Sequence, residues 1–268
     1  MSLMQGKKGI IFGVSNKWSI GYGIAQALFN AGAEIAFTYA GDAMESRVTP
    51  IAESMNSKLI VNCDVTKEDE IQTVFDKYEK VYGELDFVIH SVAFANKEDI
   101  AGNFSDISKS GWDLAMGVSA YSLIPIARHA KKLMTNGGSI IGLTYLGGER
   151  SVPNYNVMGV AKAALDTCVK YLAAEFGESA IRVNAISAGP VKTLAAKGIS
   201  GFDTLLKINE ARSPMKRNVT IEEIGNSALY LCSDLSTAVS GEIHHVDGGI
   251  HSIATCKEDA KVVGVNPD

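Results

Sequence analysis

Two patterns of hydrophobic residues alternate along the chain. Short, nearly continuous apolar runs rich in β-branched residues are typical of strands covered on both faces. The predicted strands are residues 10–14, 34–39, 58–62, 87–91, 139–143, 181–187 and 242–246. Longer stretches with helical spacing separate them. The predicted helices are residues 21–31, 43–55, 67–81, 112–135, 156–176 and 221–233.

This end-to-end alternation predicts an α/β fold. We expect a single-domain Rossmann-type doubly wound parallel sheet of about seven strands, with helices on both faces. Two helix starts resemble capping boxes, Thr66-x-x-Asp69 and Thr220-x-x-Glu223. No linker rich in Pro, Gly or Ser divides residues 1–254, which we take as one catalytic domain. The irregular segment 189–220 is long for a loop, which favours a functional role, and the polar tail 255–268 carries no usable motif.

The composition of the chain restricts the classes of function that it could have. The net charge of −5 argues against a nucleic-acid partner, which needs a positive surface. No apolar run is long enough to cross a membrane. The four cysteines lack metal-binding spacing, which predicts a reduced, cytoplasmic protein without a metal. The pair His244-His245 would point to opposite faces of its strand, so a shared metal is not expected.

The turn after the first predicted strand suits a dinucleotide. Gly13 permits a sharp turn, and Ser19 can cap the next helix, whose first amides would face a pyrophosphate. The usual G-x-G-x-x-G pattern is absent, because Gln26 stands where the third glycine belongs. The glycines alone fit an ordinary βα turn equally well. The position of the turn within a complete α/β alternation favours cofactor binding.

The ends of the second and third predicted strands bear on cofactor choice. Asp42 disfavours the 2′-phosphate of NADPH, and no basic residue occurs before Arg47, so we expect NADH. Asp64 can meet an adenine amino group. It can equally satisfy the turn before Thr66, and the sequence leaves both interpretations open.

One tyrosine–lysine pair has an unusual spacing. None of the nine tyrosines has a lysine four residues on, the spacing of short-chain dehydrogenases, but Tyr155 has Lys162 seven residues on. On a helix both would share a face, about 10 Å apart along the axis. Tyr145 follows the fifth strand, at the carboxyl end where chemistry is expected. Each residue taken alone also fits a packing or solvated role.

Residues 145–162, YLGGERSVPNYNVMGVAK, resemble the enoyl-acyl-carrier-protein reductases of bacterial type II fatty-acid synthesis, a divergent branch of the short-chain dehydrogenases. The resemblance extends from Gly6 to about Ala254 and includes HSVAFA at 90–95, RVNAISAGP at 182–190 and VDGG at 246–249. It implies NADH-dependent reduction of the trans-2 double bond of enoyl thioesters, acyl carrier protein as partner, and a homotetramer. Ala93 stands where many members have glycine.

The resemblance also implies a role for each matching position. Catalysis would fall to Tyr145, Tyr155 and Lys162. The cofactor would contact Gly13, Ser19, Ile20, Ala40, Asp64, Val65, Val92, Lys162, Val191, Thr193, Leu194 and Ala195. Substrate would meet Ala95 and both tyrosines, beneath a lid formed by 189–220. The basic lid residues would be either an acyl-carrier-protein docking surface or solvated positions: Lys192, Lys197, Lys207, Arg212, Lys216 and Arg217.

Two alternatives remain beside this interpretation. A carbonyl-reducing short-chain dehydrogenase of the 3-oxoacyl reductase type is the nearer one, and the missing Tyr-x-x-x-Lys motif argues against it. A non-catalytic NADH-binding sensor is the other. A sensor would need neither Tyr145, Tyr155 nor Lys162, so their presence argues against it.

Overall fold

The computed structural model describes residues 2–193, 201–257 and 259. Seven strands form one sheet in the order β3-β2-β1-β4-β5-β6-β7, and every neighbouring pair is parallel. The strands are β1 Lys8–Phe12, β2 Glu34–Tyr39, β3 Ile60–Asn62, β4 Phe87–His90, β5 Gly138–Thr144, β6 Ile181–Ala188 and β7 Ile243–Val246. The strand order reverses between β1 and β4, so the predicted doubly wound Rossmann-type fold is confirmed.

Helices cover both faces of this sheet. They are α1 Ile20–Asn30, α2 Asp42–Ser54, α3 Glu68–Tyr82, α4 Lys97–Ile100, α5 Lys109–Met116, α6 Leu123–Leu133, α7 Asn156–Phe176, α8 Phe202–Arg212 and α9 Ile221–Cys232. Alternate residues of β1 enter two separate buried clusters, because successive side chains of a strand point to opposite faces. Ile10 and Phe12 pack with α3, α6 and α7, whereas Ile11 packs with α1, α2 and α9.

The helix predicted over 112–135 is not continuous. It forms α5 and α6, separated by a π-helical segment at Gly117–Tyr121. Helix α8 lies within segment 189–220, where no helix was predicted. It turns only Leu206 and Asn209 into the interior, so its apolar pattern is weak.

One of the two predicted capping boxes is wrong. The Thr66 hydroxyl donates to Asp64 Oδ1 at 2.7 Å, and α3 begins at Glu68 with Lys67 as its N-cap. The second box is confirmed, since Thr220 and Glu223 exchange hydrogen bonds of 3.3 and 3.0 Å at the start of α9. No helix in the described part of the chain is long and apolar enough to cross a membrane.

Candidate active site

A cavity of about 740 Å³ opens beyond the carboxyl ends of β1, β4, β5 and β6. This is where ligands bind in open α/β sheets, at the point where the strand order reverses. Ten of the predicted site residues line it: Gly13, Ser19, Ile20, Val92, Ala95, Tyr145, Tyr155, Lys162, Val191 and Thr193. Segments from four parts of the chain thus meet at one concave surface.

The turn after β1 is held tightly against the loop after β4. Gly13 has φ of +94°, and a Cβ on it would lie 2.1 Å from the carbonyl oxygen of Ser91. Only glycine meets both demands. Ser19 caps α1 by accepting the Tyr22 N–H at 3.2 Å and donating to the Asn16 carbonyl at 2.7 Å. The first amides of α1 lack partners within the helix and favour an anion at this end of the cavity.

The predicted adenosine contacts lie apart from this cavity. Ala40 follows β2, and Asp64 and Val65 follow β3, at the same edge of the sheet. Asp64 Oδ1 accepts from both the hydroxyl and the N–H of Thr66, and the bond from the hydroxyl does most to lower the Asp64 pKa. Oδ1 thus satisfies the turn before Thr66, and the contact of Asp64 with an adenine stays a prediction.

Two tyrosines stand together at the cavity. Tyr155 is the N-cap residue of α7, one residue before the helix begins, and its side chain lines the same cavity as that of Lys162. Its ring meets that of Tyr145 edge to face, with centroids 5.0 Å apart. Burial raises the pKa of Tyr145 to about 12 and that of Tyr155 further. Both phenols are therefore protonated hydrogen-bond donors at neutral pH.

Lys162 projects into the same cavity from α7. It is 5% exposed, and its Nζ donates to the Leu143 carbonyl of β5 at 2.7 Å. Burial lowers its pKa to about 8, and Asp166 one turn further along α7 opposes this shift. Burial in turn raises the Asp166 pKa, with Thr144 and Lys162 opposing. The lysine is still mostly charged at pH 7, with two ammonium donors left beyond the one given to Leu143.

Several apolar lining residues were not among those predicted from the sequence. Met158 lies four residues before Lys162 on α7, so helical spacing could have identified it. Phe202 and Leu205 project from α8, and Ile100 from α4. An apolar wall beside a few convergent polar groups suits a small-molecule ligand with a hydrophobic part.

The predicted basic lid residues have different surroundings. Arg217 makes a two-point ion pair with Glu223, at 2.6 and 2.9 Å, and Arg212 binds Asp259 at 3.1 Å. Lys216 donates to a backbone carbonyl. Lys192 and Lys207 are exposed. Leu194, Ala195 and Lys197 lie outside the described residues.

The adjacent histidines of β7 face different neighbours. His245 lies 2.8 Å from Glu149 Oε1 and stacks on His251, with centroids 4.0 Å apart. His244 lies beside Tyr230. Among the described residues, no group of three or more His, Cys, Asp or Glu side chains could hold a metal ion.

Known proteins resemble this chain over nearly its whole length. The family model described as enoyl-(acyl carrier protein) reductase matches residues 13–251. Enoyl-[acyl-carrier-protein] reductase [NADH] 1 of Rhizobium meliloti is 51% identical over 266 residues, which cover 99% of this chain and 98% of that protein. Enoyl-[acyl-carrier-protein] reductase [NADH] FabI of Bacillus cereus is 50% identical over 253 residues, which cover 94% and 99%.

Solved structures agree with these matches. The Bacillus cereus enoyl-acyl carrier protein reductase with NADP+ and indole naphthyridinone superposes with a TM-score of 0.93 at 49% identity, covering 95% of this chain and 100% of that one. The reductase of Anaplasma phagocytophilum in complex with NAD gives a TM-score of 0.91 at 49% identity, covering 94% and 97%.

Proposed function

We infer that this chain, which belongs to the enoyl-(acyl carrier protein) reductase family, reduces the trans-2 double bond of enoyl thioesters with NADH. One observation carries the inference: the turn at Gly13, the buried cation of Lys162 and the protonated phenol of Tyr155 line a single cavity. A hydride donor and an acceptor would be held side by side there.

The residues at the cavity fit NADH. The N-terminus of α1, with Gly13, Ser19 and Ile20, suits the pyrophosphate. The two remaining ammonium donors of Lys162 suit a ribose diol, which supplies acceptor oxygens. The remaining proposed cofactor contacts are Ala40, Asp64 and Val65 at the adenosine, and Val92, Val191, Thr193, Leu194 and Ala195 at the other end. Bound NADH supplies a hydride.

The tyrosines account for the chemistry at the substrate. Addition of hydride at the β-carbon places negative charge on the thioester oxygen as an enolate. The Tyr155 phenol donates a hydrogen bond to that oxygen, and a buried donor of this kind is worth about 3 kcal/mol in the transition state. Lys162 adds positive charge nearby, and protonation at the α-carbon completes the reduction. Tyr145 packs against Tyr155 and, with Ala95, contacts the substrate.

The experiment follows NADH absorbance with a crotonyl thioester and, separately, with an acetoacetyl thioester. Turnover of the crotonyl compound supports enoyl reduction. Turnover of only the acetoacetyl compound would identify a carbonyl reductase, and no turnover of either would indicate a cofactor-binding sensor. Tyr155→Phe should lower kcat about 100-fold while the Kd for NADH stays within a factor of two. A marked preference for NADPH in the crotonyl assay would contradict the assignment of NADH.

Acyl carrier protein is the proposed carrier of the substrate. Segment 189–220 is the proposed lid, and Lys207 lies exposed on its helix α8. Because acyl carrier protein is acidic, Lys207→Glu should raise KM for enoyl-acyl carrier protein and leave KM for a crotonyl thioester unchanged. Lys77→Glu on α3, whose residues do not line the cavity, is the matched control. Equal effects of both variants would remove α8 from the docking surface.

We also propose a homotetramer in the cytoplasm. Strand β7 lies at the edge of the sheet with half-buried residues, and edge strands favour pairing or coverage by another chain. The four cysteines are free, which agrees with a reducing compartment. Light scattering should give four times the mass of one chain. A chain truncated after residue 254 should retain the activity of the proposed domain 1–254.

A further inference from the structure

A π-helical segment presents two buried serines to the loop beside the cavity. The segment, Gly117–Tyr121, joins α5 to α6. Ser119 within it and Ser122 just after it are both 0% exposed. A π-helical turn contains one more residue than an α-helical turn, so different side chains face the neighbouring elements. Such segments are frequent at functional sites.

Ser119 binds the backbone of the loop that follows β4. Its hydroxyl oxygen accepts a hydrogen bond from the N–H of Phe94 at 3.0 Å, and the hydroxyl donates to the carbonyl oxygen of Phe94 at 3.2 Å. The Sδ of Met158, a cavity-lining residue, lies 3.7 Å from the same hydroxyl. One side chain thus contacts both polar groups of a single residue in the cavity wall.

Ser122 anchors the other end of the same loop. Its hydroxyl donates its one proton to the Val118 carbonyl at 2.7 Å. His90, the last residue of β4, must therefore donate its Nε2–H to the Ser122 oxygen, across 2.7 Å. Burial lowers the His90 pKa to about 3, so the imidazole is neutral and its single proton lies on Nε2.

Two further contacts fix the start of this loop: the Ser91 N–H donates to the Phe12 carbonyl at 2.9 Å, and Val92 packs against the buried core. Residues 91–96 form neither helix nor strand, and the Phe94 side chain is 54% exposed. Val92, Ala93, Phe94 and Ala95 nevertheless all line the cavity. Ala93 and Phe94 are exposed, so the placement of this part of the wall depends on the backbone hydrogen bonds of Phe94 rather than on burial of its side chains.

We propose that Ser119 is a positioning residue for enoyl reduction, because it sets the wall formed by residues 93–95 against which the substrate rests. The proposal rests on the proposed function. A shift of about 1 Å in such a wall can lower the rate about 100-fold. The turn at Gly13, Val92 and Lys162 are held by other contacts, so the effect should fall on the enoyl thioester and spare NADH.

The test compares Ser119→Ala with Ser139→Ala. Ser139 is also 0% exposed and donates to a backbone carbonyl, that of Leu231 at 2.8 Å, but it lies near the start of β5 and does not line the cavity. Ser119→Ala should lower kcat/KM for a crotonyl thioester at least about 10-fold, with Kd for NADH within a factor of two. Ser139→Ala should lose comparable thermal stability and retain kcat/KM.

Each alternative outcome bears on the proposal. Equal losses of kcat/KM in both variants, or an unchanged value in Ser119→Ala, would overturn it. If Ser119→Ala does not fold, Ser119→Cys replaces it under the same criteria, because a thiol of similar size is a weak hydrogen-bonding group. Absence of crotonyl turnover by the wild type would refute the proposed function and this inference together. Wild-type turnover with an unaffected Ser119→Ala would refute only this inference.

Discussion

Replacement of Lys162 by methionine should stabilise the folded protein at neutral pH while abolishing function. Burial lowers the pKa of this lysine from 10.5 to about 8. At pH 7 the fold therefore holds the charged form at a cost of about 3 kcal/mol relative to the unfolded chain. Methionine has a similar length, fills the same space and carries no charge. Replacement of a buried charge by an apolar residue is often stabilising.

The net gain is smaller than this cost. Lys162→Met also removes the hydrogen bond to the Leu143 carbonyl, which at 2.7 Å from a charged donor is worth about 2 kcal/mol. The remainder is about 1 kcal/mol in favour of the variant. In a chain of this length, that corresponds to an increase in Tm of about 2–4 °C.

The stability gain has a defined pH dependence. The Lys162 pKa is lower in the folded state, so the unfolded chain binds more protons between pH 8 and 10.5. The contribution of Lys162 to the free energy of unfolding of the wild type therefore rises with pH across that window. The advantage of Lys162→Met is complete below pH 8 and becomes a disadvantage before pH 10.5, because the wild type recovers about 3 kcal/mol across this window and the net advantage is only about 1 kcal/mol.

Urea unfolding of wild type and variant from pH 7 to 10, with NADH binding measured in parallel, checks this reasoning. Lys170→Met, which removes an exposed lysine from the same helix, controls for the loss of one surface charge. A Lys162→Met protein that is less stable than wild type at pH 7, or that gains stability relative to wild type as the pH rises, would refute it. Retention of NADH affinity would remove Lys162 from the proposed cofactor site.

Two further predictions concern packing and capping. Gly148→Ala should lower the free energy of unfolding by about 1–3 kcal/mol, because the added Cβ would lie 2.9 Å from the Ala163 nitrogen. The control is Gly177→Ala, whose added Cβ would have no atom within 4 Å, so its Tm should be unchanged or slightly higher. A calorimetric scan that gives equal Tm values for the two variants would contradict the first. Thr220→Ala should cost about 1 kcal/mol in urea unfolding by removing the cap of α9, and an unchanged midpoint would show that the cap is dispensable.

The sheet follows from the sequence because most of its strands are buried on both faces. Their apolar runs are continuous and separated by clear helical periods, so only strand ends were misplaced, as at Lys8 of β1. Helix α8 could not be found in this way. Most of its residues are polar or exposed, and its position depends on contacts such as that of Asn209 with Asn218 at 3.0 Å. Tertiary contacts of this kind leave no periodic signal in the chain.

The site was only partly predictable for a related reason. A spacing of seven residues singles out Tyr155 and Lys162, but spacing cannot show that the Tyr155 ring meets that of Tyr145 edge to face. Nor can helix propensity show the extra residue of the π segment that turns Ser119 inward. Residues 145–162 disclosed the chemistry through their resemblance to a family. The serine contacts that position the loop after β4 come from a part of the chain with no such motif.

Different parts of the chain fix the positions of the two proposed catalytic groups, because Tyr155 lies outside α7. Lys162 is fixed by α7 itself, since it is buried within the helix and bonded to β5. Tyr155 is fixed by the connection from β5 to α7, where a Cβ on Gly147 would lie 2.5 Å from its ring. A Cβ on Gly159 would in turn lie 2.8 Å from the Gly147 carbonyl. Glycines thus let the connection lie directly on the helix, so the position of the phenol relative to the ammonium is set by backbone contact rather than by helical periodicity.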